Sequence, residues 1–126
     1  MSDIEPKDLV AAAAALARPY RPSEACASGS VASALLTEGG NVYTGICIDT
    51  ECSLGFCAEH AAVAEMLKAR ESHIRMIVAV ASDGAVLPPC GRCRELIWQV
   101  SPANRSTLVV LGDEVVKPLG ELLPDR

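Results

Sequence analysis

Aromatic residues are nearly absent from this 126-residue chain, which has one Trp, two Tyr and one Phe. With half of the residues hydrophobic and only 3% aromatic, a core has to be built from Ala, Val, Leu and Ile, a composition that suits helices packed on a sheet. Basic residues are the second shortage: 11 Lys and Arg against 16 Asp and Glu give a formal charge of -5. A surface of that sign does not match a phosphate backbone, so no polynucleotide partner is expected and a small uncharged substrate fits better. Long apolar runs are missing too. The longest, Leu9 to Ala17, is well short of the roughly 20 residues that span a bilayer, so no membrane partner is expected. Asp3-Ile4-Glu5 is acidic where a signal peptide would be basic, which points to a cytoplasmic protein. The length bounds the chain to a single domain over residues 1–126, and no repeat, low-complexity tract or interdomain linker interrupts it.

What the chain does have is six cysteines, unevenly spaced. In a reducing compartment such a cluster speaks for metal or redox chemistry before structural disulfides.

The apolar pattern predicts an opening helix over 3–17, with acidic residues and Pro6 near its start, ended by Arg18-Pro19-Tyr20-Arg21-Pro22. Residues 23–29 are small, without periodicity, and read as a loop, either a plain connection or a cover over a pocket. Ser30 to Thr37 and Asn41 to Asp49 read as strands of a hairpin turned at Glu38-Gly39-Gly40. In the second strand Tyr43, Gly45, Cys47 and Asp49 share one face; a thiol and a carboxylate at its end either line a site or lie on a partly exposed edge. A helix is expected over 57–70 with Glu65 and Lys68 outward, then a strand buried on both faces over 74–81. Ser82-Asp83-Gly84 turns the chain, and Pro88-Pro89 precede a helix over 90–100. A strand at 107–111, a turn at Gly112-Asp113, a strand at 114–117 and a helical turn at 118–123 complete it. The order implies an α/β fold, a mixed sheet of about five strands with helices on both faces.

Two helix mouths carry the chemistry: Cys57-Ala58-Glu59-His60 and Pro89-Cys90-Gly91-Arg92-Cys93. Cys90 and Cys93 are three apart and point the same way on one helical turn, a usual two-ligand bite on zinc. A helix N-terminus also favours the thiolate that the metal requires. Residues two apart do not share a helix face, so Cys57 and Glu59 converge only on a target beyond the helix end. Three thiolates, Cys57, Cys90 and Cys93, with a carboxylate nearby fit an open catalytic zinc site, one Zn2+ per chain, in which Glu59 receives the proton of an activated water. Zinc and three thiolates sum to a net charge of about -1, which calls for positive groups near the sulfurs. Arg92 is the first candidate and His60 the second; Arg94 reads either in that role or as a solvated charge.

These residues resemble the zinc signature of the cytidine deaminase superfamily, His/Cys-x-Glu followed by Pro-Cys-x-x-Cys, over nearly the whole chain. Among its members the small nucleoside deaminases are most similar, namely cytidine deaminase and blasticidin-S deaminase, the latter through Ser30-Val31-Ala32-Ser33-Ala34, Cys90-Gly91-Arg92-Cys93-Arg94 and Glu121-Leu122-Leu123-Pro124. The resemblance implies a three-layer α/β/α sandwich, usually a homotetramer. It also implies a zinc-dependent hydrolase that removes the amino group from a cytosine-type nucleoside or related aminated heterocycle, Glu59 shuttling the proton. Where the family follows Cys-Ala-Glu with Arg, this chain has His60, and Arg92 stands between the later cysteines. The resemblance places substrate contacts at Ala58 and at Cys47 and Asp49, which stand where cytidine deaminases carry Asn-x-Glu for the ribose. Gly29-Ser30 replaces the Phe-Pro of relatives, and Asp125-Arg126 follows Leu-Leu-Pro where relatives continue with aromatic residues. Beside a plain cytosine nucleoside, the reading therefore includes a pocket altered for a modified cytosine nucleoside or another aminated heterocycle.

Two readings from other classes use the same sulfurs. Cys52 could complete a closed four-cysteine zinc module, which leaves Glu59 without a purpose. Cys90-Gly91-Arg92-Cys93 could be the C-x-x-C of a thiol-disulfide oxidoreductase, which leaves Cys57 and Glu59 without one.

Overall fold

The computed structural model describes residues 3–112 and 114–125. Its sheet is organised around β4 (Ile74–Ala81), whose side chains are apolar at both phases of the pleat and need cover on both faces. On one face Met76, Val78 and Val80, with Ala34 and Leu36 of β2 (Cys26–Thr37), meet Leu9 and Ala13 of α1 (Pro6–Ala14). On the other, Ile74, Ile77 and Leu35 meet Val63 and Met66 of α2 (Ala58–Lys68), Ile97 of α3 (Gly91–Val100) and Leu119 of α4 (Leu119–Leu122). From Met76 on, the period of two sorts neighbouring residues into separate cores, while Ile74, across a register shift against β2, joins the core of Ile77; the result is the three layers expected.

β4 runs antiparallel to β2 and parallel to β6 (Leu108–Gly112). β6 pairs antiparallel with β7 (Val115–Pro118), and β2 with β3 (Val42–Thr50). These are the five expected strands, in a mixed sheet. Two more bring it to seven: β1 (Tyr20–Ser23), paired with the start of β2, and β5 (Val86–Leu87), paired with the end of β4. The loop expected over 23–29 is therefore corrected. The chain turns at Glu24-Ala25 and re-enters the sheet at Cys26, because the backbone of these small residues finds partners in β1 and β3. Between Ser28 and Ala32 the register against β3 shifts, with Gly29 at φ +79° packed so close to the Arg18 carbonyl that a Cβ would collide with it.

The opening helix is shorter than expected, Pro6–Ala14, with the Glu5 N–H donating to the Asp8 carboxylate at 2.8 Å. Ala15 to Ala17 form a closing turn before Pro19, which disfavours helix in the residue ahead of it. Of the expected turn at Gly112-Asp113, Asp113 lies outside the described residues. Buried Asn104 accepts from the Ile74 N–H at 2.8 Å and donates to the Ile97 and Ser72 carbonyls at 3.0 Å each, locking the end of α3 to the start of β4.

The two helix mouths meet at the site. Gly45 of β3 lies so close to α2 that a Cβ there would strike the Ala62 amide nitrogen and the Ala61 side chain. This close approach fixes the head of α2 beside the end of β3.

Candidate metal centre and cavity

Cys57 and Cys90 are the N-cap residues of α2 and α3, each with extended backbone. Cys93 follows on the first turn of α3 and is fully buried. The Cys57 and Cys90 sulfurs lie 3.7 Å apart and those of Cys90 and Cys93 3.5 Å apart, and all three fall within 4.8 Å of one another. Zn–S bonds of about 2.3 Å in a tetrahedron require sulfurs about 3.8 Å apart, so the three thiols fit zinc. Cys52 is exposed and Cys26 half-buried; neither belongs to the cluster, so the four-cysteine arrangement does not form among the described residues.

The electrostatics agree with a cation. Burial pushes the Cys57 thiol up; a hydrogen bond with Cys93 opposes this, and the neighbouring Cys90 and Glu59 add to the upward shift. Cys93 is pushed up further, by burial first and then by the Glu59 charge and the other two sulfurs. Burial opposes ionisation of Cys90 also, but backbone N–H groups of Cys93 and Arg92 and the adjacent thiols outweigh it and bring Cys90 below the ordinary cysteine value. As ligands of a divalent ion, all three sulfurs would give up their protons.

Glu59 is the second residue of α2 and only 5% exposed. Burial raises its pKa, while its own backbone N–H and the Cys93 thiol partly offset this. Cys57, Cys90 and Glu59 all line one cavity of about 410 Å³. So do the other expected substrate contacts, Ala58, Cys47 and Asp49. The Cys47 S–H donates to the Asp49 carboxylate at 3.6 Å, and Ser30 Oγ lies 3.4 Å from the same sulfur. At this strand end Cys47 is buried and Asp49 exposed, and both line the cavity. The lining begins at Ser30 and includes no residue of 23–29.

The groups expected to offset the thiolates divide differently. His60 Nδ1 lies 3.6 Å from the Cys93 sulfur, and burial, then the Arg92 charge, lower the imidazole pKa. A neutral ring can donate Nδ1–H to a ligand sulfur. Arg92 is exposed at the cavity wall; its backbone N–H serves Cys90. Arg94 is neither a sulfur partner nor a solvated charge: it donates to the Pro89 carbonyl at 2.8 Å and the Leu122 carbonyl at 3.3 Å, tying the α3 mouth to α4. Sequence reasoning missed Phe56 and Thr50 as lining residues. Phe56 was visible as the one phenylalanine, adjacent to Cys57; Thr50, whose buried hydroxyl has no hydrogen-bond partner, carried no signal.

The profile of the cytidine and deoxycytidylate deaminase zinc-binding region matches residues 5–109. Cytidine deaminase of Mycobacterium tuberculosis is 33% identical over 99 residues, 76% of this chain and 71% of the relative. That of Halalkalibacterium halodurans is 31% identical over 97 residues, 75% of this chain and 74% of the relative. The crystal structure of the Mycobacterium tuberculosis enzyme superposes with a TM-score of 0.81 at 29% identity, covering 98% of this chain and 97% of that one. With its fold, its cysteine cluster and these matches taken together, the chain belongs to the cytidine and deoxycytidylate deaminase family, zinc hydrolases that act on C–N bonds.

Proposed function

We propose that this protein deaminates a free cytosine-type nucleoside by hydrolysis, releasing ammonia. The observation that carries the reading is the convergence of Cys57, Cys90 and Glu59 on one cavity that Cys93 backs from within. Zinc held by the three sulfurs supplies a Lewis acid that makes water nucleophilic near neutral pH. Glu59 stands beside this point with little access to solvent. Its carboxylate takes the proton of the attacking water, delivers it to the ring nitrogen and then serves the leaving amine. The balance is amine plus water to carbonyl plus ammonia. Ala58 packs at the ring end of the cavity, while Cys47 and Asp49 read the substituent on the ring. Cys47 lacks the paired donor and acceptor of an amide, which supports a substituent other than plain ribose, as in a blasticidin-type substrate. Exposed apolar Val42, Ile46 and Leu54 lend support to assembly with further copies, a homotetramer by family likeness and a cytoplasmic one, to be sized in solution.

The test is ammonia release by the zinc-loaded protein across cytidine, deoxycytidine, N4- and 5-substituted cytosine nucleosides, blasticidin S and aminated purines or pterins. Release from a cytosine ring, lost by several orders of magnitude in Glu59→Gln with zinc retained, is expected. Release from none of them, or a Glu59→Gln variant at the parental rate, would overturn the reading.

A further inference from the structure

Phe56 is the one aromatic residue lining the cavity. The others have work elsewhere: Tyr43 donates to Glu71, Trp98 lies under the Arg105 guanidinium, and Tyr20 is on β1. Phe56 sits in the loop ahead of Cys57, yet its backbone is held twice. Its N–H donates to the Ile48 carbonyl at 2.9 Å, and its carbonyl accepts from the Ile48 N–H at 3.0 Å. The phenyl ring lies nearly parallel to the His60 ring, 15° between planes and 6.4 Å between centroids. The residue is still 37% exposed, so a ring braced by an imidazole keeps free surface at the cavity. The next residue is a zinc ligand, and Glu59 is three residues on. A flat molecule laid against the phenyl face would share one cavity with Cys57, Cys90 and Glu59.

We propose that Phe56 is a specificity-determining residue, the surface on which a planar aminated heterocycle lies while its amino-bearing carbon meets Glu59. This rests on the deaminase reading and deepens it: the site selects flat π-bearing rings and discriminates against saturated ones such as 5,6-dihydrocytosine nucleosides. Stacking on a ring is tolerant of which base is present, since every base has a π-face. Phe56 accordingly sets the class of ring, and polar groups farther along the cavity set the substituent.

Phe56→Leu keeps apolar bulk and removes the flat face. Its Km for the ring that the parent deaminates is expected to rise roughly 5- to 100-fold while kcat changes little, with zinc content unaltered and Phe56→Tyr restoring the parental Km. A parental Km in Phe56→Leu, or loss of zinc from it, overturns the proposal. Binding is read separately with Phe56→Trp in a Trp98→Phe, Glu59→Gln background, by fluorescence on titration with cytidine, guanosine and ribose. Saturable quenching by a ring and none by ribose is expected. If the parent deaminates a ring that does not quench, Phe56 is misassigned and the deaminase reading stands. If a ring quenches yet no ring is deaminated, the deaminase reading falls and of the present proposal only the stacking surface stands. If no ring does either, both fall.

Discussion

The Nδ1 atom of His60 lies 3.6 Å from the Cys93 sulfur, whereas the Arg92 guanidinium makes no hydrogen bond to a ligand sulfur among the described residues. The imidazole is thus within contact of a cluster sulfur and the guanidinium is not. Loss of a partner that holds a ligand typically weakens metal binding about 10- to 100-fold. His60→Ala is expected to fall in that range and Arg92→Ala below it, measured by competition with a chromogenic zinc chelator. Equal losses would return Arg92 to the first place that the sequence suggested for it.

Metal content should divide the cysteines in the same geometric way. Cys57→Ser, Cys90→Ser and Cys93→Ser each remove one vertex of the triangle of sulfurs and are expected to purify with far less than one zinc per chain. Cys52→Ser, a change at an exposed residue outside the cluster, is expected to keep one equivalent by elemental analysis. Zinc lost from Cys52→Ser would restore the four-cysteine alternative.

How much of this was legible depends on what each feature requires. β4 was found with its bounds, Ile74–Ala81, because an octet apolar at every position but Arg75 admits little else. The two helix mouths were found because Cys57 and Cys90 stand at the N-caps, where a motif and a helix start coincide. β1 was not: its four residues are all exposed and include Pro22, so no hydrophobic pattern marks it and only the ladder with β2 makes it a strand. The cavity was half legible. Spacing gave the sulfurs and Glu59, but Ser30, Phe56 and Leu87 join them from separate segments, through a register shift in β2 and the pairing of Phe56 with Ile48.

Away from the site, the Tyr43 hydroxyl donates to Glu71 at 2.6 Å and the Asn41 amide to the same oxygen at 2.8 Å. The Tyr43 bond, followed by that of Thr37, holds the Glu71 carboxyl below its usual pKa, and the bond to Glu71 holds the Tyr43 phenol above its own. A depressed carboxyl stabilises the fold above its unfolded pKa and stops doing so as pH falls through the folded one. A raised phenol stabilises it below its unfolded pKa and stops as pH rises through the folded one. Given unfolded values of about 4.3 and 10, the deficit of Tyr43→Phe in urea unfolding is expected to be flat from about pH 5 to 9 and to shrink on either side. A deficit unchanged through the acid range would show that the bond does not depend on the Glu71 charge.

The seam between Gly45 and α2 joins the fold to the chemistry. A Cβ at Gly45 meets the backbone of Ala61 and Ala62, which cannot swing away as a side chain can, so Gly45→Ala must push α2 off β3. Overpacking of this kind costs about 1–3 kcal/mol, visible as a lowered urea midpoint. The displaced helix carries Cys57 and Glu59 at its head, while Cys90 and Cys93 stay with α3. A shift near 1 Å of reacting groups can cost about 100-fold in rate, so Gly45→Ala is expected to lose activity on any ring that the parent deaminates, under conditions where it remains folded. Gly112→Ala is the control, because a Cβ there meets nothing within 4 Å, and it should stay within about 0.5 kcal/mol of the parent. A Gly45→Ala protein as stable and active as that control would show that α2 can ride higher on the sheet without moving the site.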